Sequence, residues 1–153
     1  MAHQDTQEYT SAQARKEAWL PLMQELVRCY QAFSRHSARH IKTLGLTPSQ
    51  FDVIATLGNT EGMNFKTLGQ ETLITKGTLT GIIDRLEAKG LVRRVSSGQD
   101  RRSTLIQLTE QGQKLFEKVF PEHIRYLSAS FGHLDSEQQS QLRRLLRGLR
   151  NHF

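Results

Sequence analysis

The sequence predicts a mainly α-helical fold of the α+β class, with one β hairpin near the middle of the chain. Apolar residues recur every three or four positions on both sides of the centre, which is the spacing of amphipathic helices. Two short runs, 91–96 and 104–108, alternate between apolar and polar residues, as strands do. The length of 153 residues is typical of one domain.

The composition narrows the class of protein. The formal net charge of +6 suits a polyanionic partner such as DNA, RNA or an acidic membrane. The single cysteine, Cys29, excludes an intrachain disulfide. No apolar run approaches the roughly 20 residues of a membrane span, and the N-terminus lacks the apolar segment of a secretory signal. We therefore expect a cytoplasmic protein that does not contact a membrane. No phosphate-binding loop or nucleophile motif is present, so we expect neither an enzyme nor a cofactor.

The first long helix is predicted to begin at Trp19, after a polar tail over residues 1–14. Its apolar stripe continues to Leu44, and Gly45 is a suitable C-terminal stop. Residues 47–50, Thr-Pro-Ser-Gln, form a capping box with proline at the first helical position. A second helix is therefore predicted to begin there.

Two short helices in the centre predict a helix-turn-helix. The first covers residues 66–73, and Thr75 is predicted to cap the second, which stops at Gly90. Each helix has a buried apolar stripe, and a short turn joins them, which is the helix-turn-helix pattern.

A β hairpin follows the second of these helices directly. Its strands are the alternating runs 91–96 and 104–108, and residues 97–103 are predicted to form a polar loop between them. Residues 63–65 are predicted to add one edge strand. A hairpin in this position makes the arrangement a winged helix-turn-helix.

Two more helices are predicted after the hairpin. Thr109 caps the first, in which Pro121 predicts a bend, and a second capping box at 135–138 begins the last. The apolar stripes of the outer helices exceed what the small centre can cover, which predicts a homodimer. The predicted regions are a flexible tail at 1–14, a helical dimerisation region at 15–46 and 110–153, and a winged helix-turn-helix DNA-binding domain at 47–109.

Three segments in a characteristic order indicate a family. They are residues 45–51 (GLTPSQF), residues 86–94 (LEAKGLVRR), and residues 100–103 (DRRS) followed by 108–112 (LTEQG). At this spacing they resemble the MarR family of bacterial winged-helix regulators. The resemblance covers about residues 19–150. It implies a cytoplasmic homodimer on a pseudo-palindromic operator, usually a repressor, often released by a small aromatic or phenolic ligand or by oxidation.

Positive charge is concentrated between positions 66 and 103, where eight basic and four acidic residues occur. The N-terminal part of the second helix of a helix-turn-helix contacts base edges. The family resemblance implies that Asp100 holds Arg102 for the minor groove, with Arg101 as an alternative; a surface ion pair is the competing interpretation. The predicted DNA-binding residues are Lys66, Thr75, Lys76, Thr78, Thr80, Arg85, Arg94, Asp100, Arg101 and Arg102.

The resemblance also implies a ligand crevice between the first, second and fifth helices of the family and the DNA-binding lobe. The candidate residues, each of which fits ordinary packing equally well, are Phe33, His36, Ser37, Phe51 and Ile54. His36 and His40 have the spacing of two metal ligands, but the sequence shows no third ligand, and no metal is predicted. Cys29 could sense oxidants, although its distance from residues 45–47 does not match the sensing position.

The sequence thus favours a sequence-specific, homodimeric transcriptional regulator that binds double-stranded DNA and responds to a small, aromatic or phenolic effector. One alternative is an architectural DNA-binding protein without sequence preference. A second is a regulator that senses oxidation through Cys29, and a third is a hydrolase or transferase that uses His36 and His40.

Overall fold

The structure is a computed structural model that describes residues 9–153 except Leu73, Gly98 and Gln99; of residues 97 and 100–103 it describes the backbone alone. Within these residues the chain is mainly helical with one small sheet, which confirms the predicted fold class. The helices are α1 (Ser11–Ala14), α2 (Leu20–Thr43), α3 (Pro48–Leu57), α4 (Phe65–Thr72), α5 (Lys76–Ala88), α6 (Glu110–Phe131) and α7 (Ser136–Arg150). The strands are β1 (Met63–Asn64), β2 (Val92–Ser97) and β3 (Asp100–Leu108).

The chain divides into two compact units, residues 1–36 and 37–153, and the division lies inside α2. In the first unit, Thr10 and Gln13 form a capping box that begins α1 within the predicted tail. Residues 1–8 of that tail lie outside the described part of the chain. The second unit contains the end of α2 and every later element.

The sheet is antiparallel, with the strand order β1-β3-β2. Val92 pairs with Leu108 at the base of the hairpin, and Ser96 pairs with Thr104 nearer the tip. Both strands extend into the loop predicted over residues 97–103, since β2 ends at Ser97 and β3 begins at Asp100. The sequence missed this extension because backbone pairing continues where the side chains no longer alternate between apolar and polar.

Local capping chemistry explains most helix starts. Thr47 and Asp135 each accept a hydrogen bond from the N–H three residues later, and both predicted capping boxes are complete. Thr109 accepts from the N–H of Gly112, as predicted. Thr75 is the N-cap residue of α5, as predicted, but its side chain makes no cap hydrogen bond. The Thr75 hydroxyl donates to Oγ1 of Thr78, at 3.1 Å.

The hydrophobic core lies in the second unit, between the end of α2, α3, α4, α5, the sheet and the first half of α6. Each fully buried leucine or isoleucine contributes about 1.5–3 kcal/mol of transfer free energy. The fully buried side chains are Val53, Ile54, Leu57, Leu68, Leu79, Ile83, Leu86, Val92, Ile106 and Val119. Because α5 buries one face in this core, its other face is held outward.

The backbone is closely packed where α5, the hairpin and α6 meet. Gly90 adopts a φ of 71°, which a glycine reaches without strain, and the N–H of Leu91 donates to the carbonyl of Leu86 at 2.9 Å. The Thr109 hydroxyl donates to the carbonyl of Gly90 at 2.6 Å, and the Thr109 N–H donates to Leu91 at 3.1 Å. The start of α6 is therefore fixed to the turn that leaves α5.

At Gly112, in the first turn of α6, the helix backbone lies close to this turn. A Cβ at Gly112 would lie 2.0 Å from the carbonyl oxygen of Leu91, so Gly112→Ala must displace backbone. We expect it to lower the free energy of unfolding by about 1–3 kcal/mol. Gly81→Ala is the matched control, because no atom lies within 4 Å of its added Cβ, and it should be neutral or stabilising by up to about 1 kcal/mol.

Urea unfolding at one fixed protein concentration measures both variants. An unchanged midpoint for Gly112→Ala would show that the junction is not tightly packed.

Candidate nucleic-acid interface

The outward face of α5 forms the centre of the candidate interface. Lys76, Thr78 and Thr80 are exposed near its N-terminus, while Leu79 between them is fully buried. The Thr78 hydroxyl accepts from Thr75 and can still donate, because a hydroxyl does both. The Thr80 hydroxyl donates to the carbonyl of Lys76 at 3.0 Å, so its proton is used within the helix. The first turns of α5 thus present one ammonium group and one hydroxyl donor outward.

Two glycines leave the helix backbone uncovered by side chains on this face. A Cβ at Gly77 or Gly81 would meet no atom within 4 Å, so both positions open to the outside. They lie one helical turn apart on the same side of α5. A flat surface such as a base-pair edge can therefore approach the helix backbone closely there.

A groove of about 930 Å³ adjoins α5 on the side of α4 and the sheet. Two lysines line it, Lys66 from α4 and Lys76 from α5, and in the described part of the chain neither has a carboxylate within ion-pair distance. The other lining residues are Asn64, Phe65, Gly69, Gln70, Ile74, Thr80, Arg94 and Thr104. Sequence reasoning missed Asn64, Gln70 and Thr104, since none of them belongs to a charged or periodic pattern.

Arg94, a predicted DNA contact, is bound by two carboxylates of α5. Its Nη2 donates to Oδ1 of Asp84 at 2.6 Å, and its Nη1 donates to Oε2 of Glu87. The hydrogen bond with Asp84 is the largest of the effects that raise the pKa of Arg94. The other predicted arginine of this region, Arg85, is exposed in the last turn of α5.

The tip of the hairpin carries the remaining predicted contacts. The backbones of Asp100, Arg101 and Arg102 belong to β3, but their side chains lie outside the described residues. The predicted pairing of Asp100 with Arg102 therefore stays a prediction.

A cluster of hydrogen-bonding side chains occupies the junction of α2, α3 and α6 within the second unit. We name Ser37, His40, His123 and Tyr126 the histidine cluster. His123 is buried and shares hydrogen bonds with Oγ of Ser37 at 3.0 Å and with Nδ1 of His40 at 2.9 Å. The His40 ring stacks on Tyr126, with centroids 4.1 Å apart, and the ring of Phe51 meets His123 edge-on.

Three of the five predicted ligand residues lie in the second unit, at or near this cluster. Ser37 and Phe51 contact His123 directly, and Ile54 lies one turn after Phe51 in the core. Phe33 and His36 belong to the first unit, earlier on α2. His123 was missed because it falls inside the apolar stripe of α6, where a lone polar residue was its only signal.

His40 and Cys29 were the candidates for metal binding and for redox sensing. His40 Nδ1 is bound to His123, and the described residues contain no group of three metal-ligating side chains. Cys29 is exposed on α2 in the first unit. Among the described residues no helix is long and apolar enough to cross a membrane.

Comparison with known proteins identifies the family. The family model described as the MarR family matches residues 44–103. The transcriptional regulator MhqR of Bacillus subtilis is 31% identical over 131 residues, which covers 86% of this chain and 90% of MhqR.

Two solved structures share the fold over most of the chain. AbsC, a MarR family regulator from Streptomyces coelicolor, superposes with a TM-score of 0.80 at 25% identity and covers 96% of this chain and 97% of its own. NadR, solved in complex with 4-hydroxyphenylacetate, gives a TM-score of 0.70 at 29% identity, covering 82% of this chain and 89% of its own. The protein therefore belongs to the MarR family of DNA-binding transcriptional regulators, which are not enzymes.

Proposed function

We propose that the protein is a homodimeric repressor that binds a pseudo-palindromic operator in the cytoplasm and is released by a small aromatic acid. One observation carries the DNA-binding part of this proposal. The N-terminal face of α5 exposes Lys76 and Thr78 and stays thin at Gly77 and Gly81, while its opposite face is locked into the core. A helix with these two faces fits the major groove of B-form DNA.

The proposed contacts divide into two classes. Thr78 donates to a base edge, and Lys76 binds either a guanine acceptor or a phosphate. Lys66, in the groove beside this face, and Arg85, exposed in the last turn of α5, bind phosphates, which should make the affinity depend steeply on salt. Thr75 and Thr80 use their hydroxyl protons within the protein, so either would contact DNA through its oxygen or methyl group.

The hairpin provides the proposed minor-groove contact. By family resemblance, Arg102 or Arg101 enters the groove while Asp100 orients it. A narrow A·T-rich groove attracts an arginine through its negative potential, which adds sequence preference without base hydrogen bonds.

Dimerisation is proposed from apolar side chains that a single chain leaves exposed. Leu142, Leu145 and Leu146 of α7 are 46%, 67% and 44% exposed, and no residue of α7 is buried. In the first unit, Leu22 and Val27 of α2 are likewise exposed. A second copy of the chain covers such stripes most simply, through a twofold interface.

Two measurements test this proposal: selection of bound sequences from random DNA defines the operator, and sedimentation gives the oligomeric state. We expect two inverted half-sites about one helical turn apart, and a sedimenting species of about twice 17.5 kDa. Scrambling the selected site should weaken binding by several orders of magnitude. Equal binding to scrambled DNA would instead identify a non-specific architectural protein, and a stable monomer would exclude the proposed dimer.

Arg102→Ala tests the wing in the same assay. We expect at least about tenfold weaker operator binding with the fold intact, because one minor-groove arginine is lost from each half-site. Wild-type affinity would exclude the wing contact.

Lys76→Ala and Thr78→Ala separate phosphate contacts from base contacts. If Lys76 binds a phosphate, its loss should lower the salt slope by about 1 per half-site and weaken all sequences alike. Thr78→Ala should instead change base preference at one position of each half-site, with the slope nearly unchanged. Both are read from titrations at several salt concentrations, and indistinguishable behaviour of the two variants would contradict the assignment.

The histidine cluster is the proposed effector site. His123 has both ring nitrogens engaged, by Ser37 and by His40, within a ring of aromatic side chains. A ligand with a phenol or carboxylate group can replace one of these hydrogen bonds while its ring packs against Phe51. Such a ligand would change the contacts between α2 and α6.

A titration with 4-hydroxyphenylacetate, the ligand found in NadR, tests this site. We expect it to release the wild-type protein from its operator. His123→Phe should keep operator affinity and lose the response, because the ring is retained and both hydrogen bonds are lost. His133→Phe is the matched control at an exposed position and should respond normally. An equal response in both variants would exclude the histidine cluster, and no response of the wild type would exclude this ligand.

A further inference from the structure

The strand β2 places two adjacent arginines in opposite environments. Arg93 is exposed and donates to Oε1 of Gln107, on the neighbouring strand, at 3.1 Å. Arg94 points to the other face of the sheet, where Asp84 and Glu87 of α5 bind its guanidinium. Arg93 therefore interacts within the hairpin, whereas Arg94 connects the hairpin to α5.

The environment of Arg94 does not favour a phosphate. Each terminal nitrogen of its guanidinium donates to a carboxylate, and the three side chains together carry one excess negative charge. A phosphate entering this group would face two carboxylates at close range. Arg94 is also the least exposed of the three, at 30% against 59% for Asp84 and 39% for Glu87.

The guanidinium also touches a third element. Its central carbon lies 5.8 Å from the ring centroid of Phe65, the first residue of α4. The strand position of Arg94 pairs with Ile106, which in turn pairs with Met63 of β1. Arg94 is thus located where the two helices of the helix-turn-helix meet the three-stranded base of the hairpin.

Beyond this point the hairpin consists of two strands, so a rotation at its base displaces its outer end. The pairs of β1 with β3 end at Asn64 and Leu105, while β3 continues outward to Asp100. Along β2 the three steps from Arg94, opposite Ile106, to Ser97, opposite Asp100, span about 10 Å, so a rotation of about 10° at the base moves Ser97 by about 1.7 Å. Such a displacement exceeds the tolerance of a hydrogen bond.

We propose that Arg94 is a positioning residue, which fixes the angle between the hairpin and α5 so that both reach one DNA half-site together. It acts through Asp84 and Glu87 and does not itself contact DNA. The inference rests on the proposed function, because it concerns the sequence-specific complex.

The test compares affinity for the selected operator with affinity for a scrambled duplex of equal length. The ratio of the two affinities cancels any general effect of charge and any loss of folded protein. We expect Arg94→Met to lower this ratio at least about tenfold. Arg93→Met removes the same charge from the opposite face of the strand, and it should leave the ratio unchanged.

A double-mutant cycle distinguishes positioning from direct contact. Asp84→Asn combined with Glu87→Gln should lower the ratio as Arg94→Met does. Adding Arg94→Met to that pair should lower it by less than about threefold more, because the connection is already broken. A direct contact would give the full loss in both backgrounds.

Each remaining outcome is also decisive. A wild-type ratio in Arg94→Met, or a full loss in both backgrounds, overturns the inference and leaves the proposed function intact. A ratio near one for the wild-type protein overturns both the inference about Arg94 and the proposed sequence-specific function. If Arg94→Met does not fold, the Asp84→Asn and Glu87→Gln variant decides alone, and a wild-type ratio there overturns the inference.

Discussion

The hydrogen bonds of Thr109 to the Gly90–Leu91 turn are the constraint on which the rest of the structure depends. The turn ends α5 and begins β2, and Thr109 ends the hairpin and begins α6. Three elements therefore share one fixed point, and Gly112 lets them approach closely. A change in the direction of α6 must move α5 and the hairpin with it, which links α6 to the proposed DNA-binding face of α5.

The helix boundaries were predictable where they depend on local chemistry. The capping boxes at Thr47 and Asp135 involve residues three apart, so the sequence contains all the partners. Thr75 shows the limit of this reasoning, because it occupies the N-cap position while its hydroxyl bonds the side chain of Thr78 and no backbone N–H. The extra length of β2 and β3 left no signal, since polar tip residues lack the alternation that identifies strands.

The candidate interface was only partly predictable. The outward face of α5 followed from its buried leucines and isoleucines, which determine what must face outward. The sequence placed Arg94 among the DNA-binding residues without showing its ion pairs, because Asp84 and Glu87 are brought to it by the turn at Gly90. His123 was missed because helical periodicity assigns its position to the core without showing that Ser37 and His40 meet it there.

Helix α6 continues through Pro121, which has no N–H to donate to the carbonyl of Glu117. Bending the helix at this point therefore breaks one hydrogen bond fewer than elsewhere, a difference of about 1 kcal/mol. Val119, before the proline, packs in the core, and His123, after it, belongs to the histidine cluster. Pro121 thus divides the helix into a first segment that packs against the DNA-binding elements and a second segment that carries His123, and bending between the two costs least at this position.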